Sequence, residues 1–353
     1  MKRLALVLVF AAAFLPGAAQ GAACSPLNCA PSQFTLGGGA LLGFRTAANA
    51  PVTVVDLRTG ETRWSLPDGI SNGNLLVHQA DQAGRKLVWY DASRGVRLYA
   101  VTFTKNWRLV GVSQNGTRAV GLRLVKNGTD LVVASQQVKR TIHVPGRQWD
   151  FDALRGDNLF LIRYVQTGGY QVRLVHVGSG RLEAKPLKDP HESGTIWGSP
   201  FSRLSSADGR YLFTLYIGSN GGAMVHELNL KTAKARCIDL PGAGDYGSAT
   251  SWAFTLSKDE RTLWAVNPGY GRVVAIDVAS RKVSSAFRIV LPLWNRGNGT
   301  SAALSPDGGH IAIADGETVA IVDLTARRVT KRDSAKAIAL GYSPDGSQLW
   351  KLS

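Results

Sequence analysis

Leu304-Ser305-Pro306-Asp307-Gly308 and Tyr342-Ser343-Pro344-Asp345-Gly346 place the same Ser-Pro-Asp-Gly turn between two apolar runs. Ser206-Ala207-Asp208-Gly209 is a third clear copy. Looser copies stand at Ser113-Gln114-Asn115-Gly116, Ser257-Lys258-Asp259-Glu260, Ala80-Asp81-Gln82-Ala83-Gly84 and Asp152-Ala153-Leu154-Arg155-Gly156. Asp-Gly and Asn-Gly supply the positive-φ residues that tight hairpins need, and β-rich runs such as His310-Ile311-Ala312-Ile313-Ala314 follow them. Each copy therefore predicts a hairpin joining strands a and b of a repeating unit.

A second signal lies downstream in most units: an apolar strand, a polar residue, then a turn. Val54-Val55-Asp56-Leu57-Arg58-Thr59-Gly60, Ala275-Ile276-Asp277-Val278-Ala279-Ser280 and Ile321-Val322-Asp323-Leu324-Thr325-Ala326 match closely, and Val175-His176-Val177-Gly178 and Glu227-Leu228-Asn229-Leu230 more loosely. This is the c–d turn of a four-stranded antiparallel unit. Six steps from Gly84 to Gly346 average about 44 residues, within the range of β-propeller blades. An all-β, seven-bladed β-propeller is the predicted architecture. After the last hairpin only residues 347–353 remain, enough for one strand. Val52–Asp56 and Thr62–Leu66 read as strands c and d, so N- and C-terminal strands sharing a blade are expected to close the ring and remove its edges. Residues 41–45 compete with the C-terminal strand for the b position.

These Ser-Pro-Asp-Gly and Asp-Leu-x-Thr-Gly turns resemble the repeats of secreted bacterial YVTN-type and related tryptophan-aspartate-like propellers, over about residues 52–353. The resemblance implies the fold. It leaves activity open, because such repeats occur in binding proteins, surface-layer proteins, lactonases and lyases.

Lys2 and Arg3 precede an apolar run over residues 4–15, then Pro16-Gly17-Ala18-Ala19, the pattern of a signal peptide of residues 1–19. Cleavage as late as residue 23 is the alternative, and there Gly21-Ala22-Ala23-Cys24 weakly resembles a lipoprotein box, a less favoured anchor. Residues 20–50 read as an N-terminal extension and 51–353 as a single propeller domain. No later apolar run approaches the ~20 residues of a spanning helix. The expected location is secreted or in the cell envelope. In that oxidising setting Cys24–Cys29 is a candidate disulfide, and Cys237, inside an apolar strand, a buried inert thiol. No clustered Cys/His pairs suggest a metal, and no cofactor is expected.

The chain carries 41 Lys and Arg against 25 Asp and Glu, a net charge of +16. Without Lys2 and Arg3 the count is 39 against 25, or +14. For an exported protein this points to anionic envelope polymers, acidic glycans or lipid headgroups rather than nucleic acid. The basic residues are spread singly, so a solvated cationic surface is the competing explanation. A closed ring is expected to act as a monomer.

Loop length locates the candidate site. The steps ending at Gly209, Glu260 and Gly308 span 53, 51 and 48 residues, whereas the first spans 32. The extra length falls in d–a and b–c connections at 188–203, 239–251 and 291–300, all on one face of blades four to six. The candidate acid–base residues there are His191, Glu192 and Asp245. Trp197, Arg203, Tyr246, Trp252, Tyr270, Trp294 and Arg296 are the candidate partner-binding residues, aromatics and cations suited to stacking and bidentate hydrogen bonds. Packing between blades is the equal alternative for Trp252.

Three motif matches are rejected. Gly242-Ala243-Gly244-Asp245-Tyr246-Gly247 fits a dinucleotide fingerprint but leads into a strand, and Gly69-Ile70-Ser71-Asn72-Gly73 lacks the strand–turn–helix setting of a nucleophile elbow. The Asn-Gly-Thr triplets at Asn115, Asn127 and Asn298 read as turns. The expected function is an exported scaffold that binds a protein, glycan or anionic envelope polymer through the long-loop face. The alternative is a lactonase-like hydrolase or lyase at the channel mouth.

Overall fold

The computed structural model describes residues 33–36, 40–45, 50–165, 169–192, 195–218, 221–242, 246–291, 300–337 and 339–352. Seven four-stranded antiparallel sheets follow one another along them, each taking its strands in chain order. They occupy residues 33–66, 70–102, 108–145, 149–182, 199–239, 253–288 and 301–334 and form blades one to seven, with strands a to d in each. The protein is a seven-bladed β-propeller of four-stranded blades.

Burial follows from the face-to-face stacking of blades. A strand covered on both faces reads as a continuous apolar run rather than an alternating one, and Tyr211–Ile217, strand b of blade five, is buried along almost all its length. The outer strands are wet, as in Lys282–Arg288 of blade six and Arg328–Ser334 of blade seven. An apolar cluster fills each seam. Leu161, Phe151 and Val144 lie between blades three and four, Phe160, Tyr216 and Leu228 between four and five, and Trp252, Phe213 and Val274 between five and six.

The recurrent turn has a definite internal chemistry. Ser206 Oγ donates to the Asp208 carboxylate at 2.7 Å and accepts from the Tyr211 N–H at 2.8 Å, while Gly209 takes φ 64°. Ser257 with Asp259, Ser305 with Asp307 and Ser343 with Asp345 repeat it. The c–d turns use the acid that ends strand c: Asp277 accepts from the Ser280 N–H at 2.6 Å and Asp323 from the Ala326 N–H at 2.7 Å. These bonds hold both carboxyls below the usual range.

Two of the seven a–b turns read from sequence are shifted. Residues 80–84 join strand b, Leu75–Gln79, to strand c, Lys86–Asp91, in blade two. The a–b hairpin of that blade turns at Gly73, where φ is 56° and Asn72 faces Leu75. Gly73 and Gly116 are 43 residues apart, so the short first step disappears. In blade four, Asp152 lies inside strand a, Trp149–Arg155, and the turn begins at Gly156.

Ring closure also differs from expectation. Val52–Asp56 pairs with Leu41–Phe44, which pairs in turn with Gln33–Leu36, so blade one draws all four strands from the N-terminal side. The propeller therefore begins inside the stretch read as an extension. Ala339–Tyr342 and Leu349–Leu352 pair with each other as a two-stranded sheet. Ala339 and Trp350 pack on Leu42, Phe44 and Val55 of blade one, while Leu340 and Ala337 pack on Ala312 and Val319 of blade seven. Among the described residues the terminal hairpin is a packed wedge between first and last blades. Apolar contact replaces the shared sheet, because residues 41–44 already fill the b position. Cys24, Cys29 and residues 1–19, read from sequence as a signal peptide, lie outside the described residues.

Candidate functional site

The face bearing the b–c and d–a connections is built on blade four, whose strand d is only two residues, Arg181–Leu182. The chain beyond it keeps covering strand c as an irregular edge: the Leu187 N–H donates to the Val172 carbonyl at 2.8 Å, and Ile196 and Tyr170 exchange backbone hydrogen bonds of 2.8 and 3.1 Å. Arg173, buried, donates to the carbonyls of Glu183 and Ala184 at 2.6 and 3.0 Å. The long loop read from sequence is thus an excursion from a strand-capping segment, which is why it can carry exposed residues on a fixed base.

Asp189 anchors that excursion. Its carboxylate accepts from the His191 N–H and from the Cys237 N–H of blade five, each at 3.0 Å, with Arg236 at 3.5 Å. Burial would raise its pKa, but these hydrogen bonds and the charge of Arg236 hold it below the usual carboxylate range. Sequence inspection gave no sign of this role, since Cys237 and Arg236 lie on a different blade.

His191 and Glu192 are exposed. Trp197 is 53% exposed, the largest apolar side chain displayed by this segment. Cys237 is a free thiol whose pKa burial pushes up to about 12, which makes it inert as a nucleophile at neutral pH.

Arg203 belongs to the interior instead of the loop. It sits in strand a of blade five, Ser199–Ser205, and its guanidinium binds the Asp152 carboxylate and, at 3.0 Å, the Asp152 carbonyl of blade four. Burial raises the pKa of Asp152, with Arg203 opposing the shift. His226 is fully buried nearby and its pKa is lowered to about 4 by burial and by the charge of Arg203, so it is neutral at pH 7. Asp150, in the same strand as Asp152, has a pKa pushed up to about 6 by burial, opposed by Arg108 at 3.8 Å. Asp150 and His226 were not singled out from sequence, and Asp152 was read as a turn residue rather than a buried partner of Arg203. The only available signal was two acids in an otherwise apolar strand, Trp149-Asp150-Phe151-Asp152.

Trp252 is 2% exposed and fills the seam between blades five and six, the packing alternative considered for it. Tyr270 is half-buried in the b–c turn of blade six, where its hydroxyl donates to the Gly221 carbonyl at 3.3 Å. Tyr246 opens a short helical turn, Tyr246–Ala249. Asp245, Trp294 and Arg296 lie outside the described residues. Among the described residues no group of three His, Cys, Asp or Glu side chains is placed to hold a metal ion, and no helix is long and apolar enough to cross a membrane.

No protein-family model and no curated protein sequence matches the chain. Among solved structures it is similar to Kuenenia stuttgartiensis hydrazine synthase, at 15% identity and a TM-score of 0.47, over 87% of this chain and 96% of that one. It is also similar to the Myceliophteria thermophila Cps50 (Swd1) β-propeller domain, at 12% identity and a TM-score of 0.47, over 91% and 95%. Citrobacter koseri AztD follows at 12% identity and a TM-score of 0.40, over 81% and 92%. At these levels the likeness carries nothing about ligand or activity.

Proposed function

We propose that the protein is an exported binding propeller that holds a protein, glycan or anionic envelope polymer on the long-loop face over blades four to six. The observation that carries this reading is Trp197, 53% exposed on a segment that Asp189 pins to the neighbouring blade. A rigidly based aromatic is a favoured anchor, since it buries a large area at small entropic cost. The net charge, +14 without Lys2 and Arg3, supplies attraction toward an acidic partner.

Equilibrium binding to purified anionic wall polymer, repeated across a salt series, tests the reading. Affinity that falls steeply between low and physiological ionic strength supports it. Salt-independent retention, or none at low salt, counts against an anionic partner.

A further inference from the structure

The opposite face carries a concavity. The a–b turns of blades two to five and the c–d turn of blade five surround a space of about 810 Å³, within the range of small-ligand sites. Three cations from three successive blades line it: Arg118, Arg155 and Lys231.

The two guanidiniums are positioned in the same way. Arg118 of blade three donates to the Gly156 carbonyl of blade four, and Arg155 of blade four donates to the Asp208 carbonyl of blade five at 3.3 Å. A carbonyl fixes a guanidinium without cancelling its charge, and one such bond leaves other N–H groups of the fork to offer. Two acids share the lining, Asp157 near Arg118 and Asp208 near Arg155, and each offsets part of that cation's charge while it also holds a turn, so three cations stand against two acids and the lining stays net positive. Asp157 accepts from the Gly178 N–H, with His176 3.8 Å from its other oxygen, and Asp208 accepts from Ser206 Oγ and the Arg210 N–H, each at 2.7 Å. Lys231 is exposed at the rim.

We infer that this concavity binds a compact ligand bearing two or more oxyanion groups, phosphate or carboxylate, across the seams of blades three, four and five. Such a ligand completes the carbonyl-held guanidiniums with the bidentate pairing they favour. It also ties three blades together, so binding stabilises the ring by mass action.

The test uses the full chain with two probes, inorganic tripolyphosphate and citrate, titrated calorimetrically at fixed ionic strength. Tripolyphosphate alone binding assigns a phosphate site, citrate alone a carboxylate site, and both a general oxyanion site. Lys231→Glu, which removes no seam contact, is expected to weaken binding about tenfold or more, the scale of one lost charge-assisted hydrogen bond. Arg155→Ala should do the same, with its melting transition checked for folding, and Trp197→Ala on the other face should leave probe affinity unchanged. Failure of both probes to bind at millimolar concentration overturns the inference. So does undiminished binding by Lys231→Glu and folded Arg155→Ala.

Discussion

The Glu260 carboxylate, on the a–b turn of blade six, accepts a hydrogen bond from the backbone N–H of Ala207 on the a–b turn of blade five. Glu260 holds φ 58°, the left-handed conformation that glycine takes at Gly209 and Gly308. The departure from the repeat thus accepts backbone strain and gains a link between blades.

Replacing Glu260 by Ala keeps the strain and removes the link, so a loss of about 1.5–3 kcal/mol is expected in denaturant unfolding. Glu260→Gly removes both and should be more stable than the alanine variant by about 1 kcal/mol. Equal stabilities of the two variants would mean that the turn is unstrained.

Trp350 lies opposite Gly341 in the terminal hairpin, where a Cβ on Gly341 would overlap the indole ring. Trp350→Ala should cost about 2–4 kcal/mol, because it removes packing against blade one and leaves a void where the ring closes. Deleting residues 347–353 should abolish the wedge and promote association through the uncovered apolar seam. A truncated chain that remains monomeric with an unchanged melting temperature would show that closure lies elsewhere.

Much of this fold was legible because the Ser-x-Asp-Gly turn is local: its serine, acid and glycine bond within five residues. Blade two was misread for a related reason. The a–b turn at Gly73 lacks the serine and acid, whereas residues 80–84 imitate the motif on the other face. The site was harder to read. Arg203 and Trp252 look like loop residues in sequence, yet the partner of Arg203, Asp152, is 51 positions away. Trp197 read as an exposed loop residue and is exposed, although the contacts that hold its segment, Ile196 with Tyr170 and Asp189 with Cys237, are distant in sequence.

Asp150 makes a signed contribution to pH dependence. Its folded pKa, about 6, lies above the ordinary 3.8, so between these values the folded state binds more protons than the unfolded chain. Its contribution therefore falls as pH rises from about 4 to about 6. His226 acts oppositely: with a folded pKa of about 4 against 6.5, its contribution falls as pH drops through that interval. Asp150→Asn should leave the His226 slope uncovered, so stability of this variant should rise more steeply from pH 4 to 6 than that of the parent. Parallel profiles would show that Asp150 does not titrate there.

Arg203→Met should cost about 3–5 kcal/mol at neutral pH, because it strands the buried Asp152 carboxylate. The double variant with Asp152→Asn should recover a large part of that loss, as measured by urea unfolding. No recovery would assign the cost to packing of the arginine stem.

The most direct test of the central claim is to measure Trp197→Ala in parallel for binding to the anionic envelope polymer and for unfolding free energy. An exposed anchor predicts binding weakened about tenfold or more with stability within about 0.5 kcal/mol of the parent. Unchanged binding with stability lowered by several kcal/mol would contradict it and make Trp197 a wedge between blades.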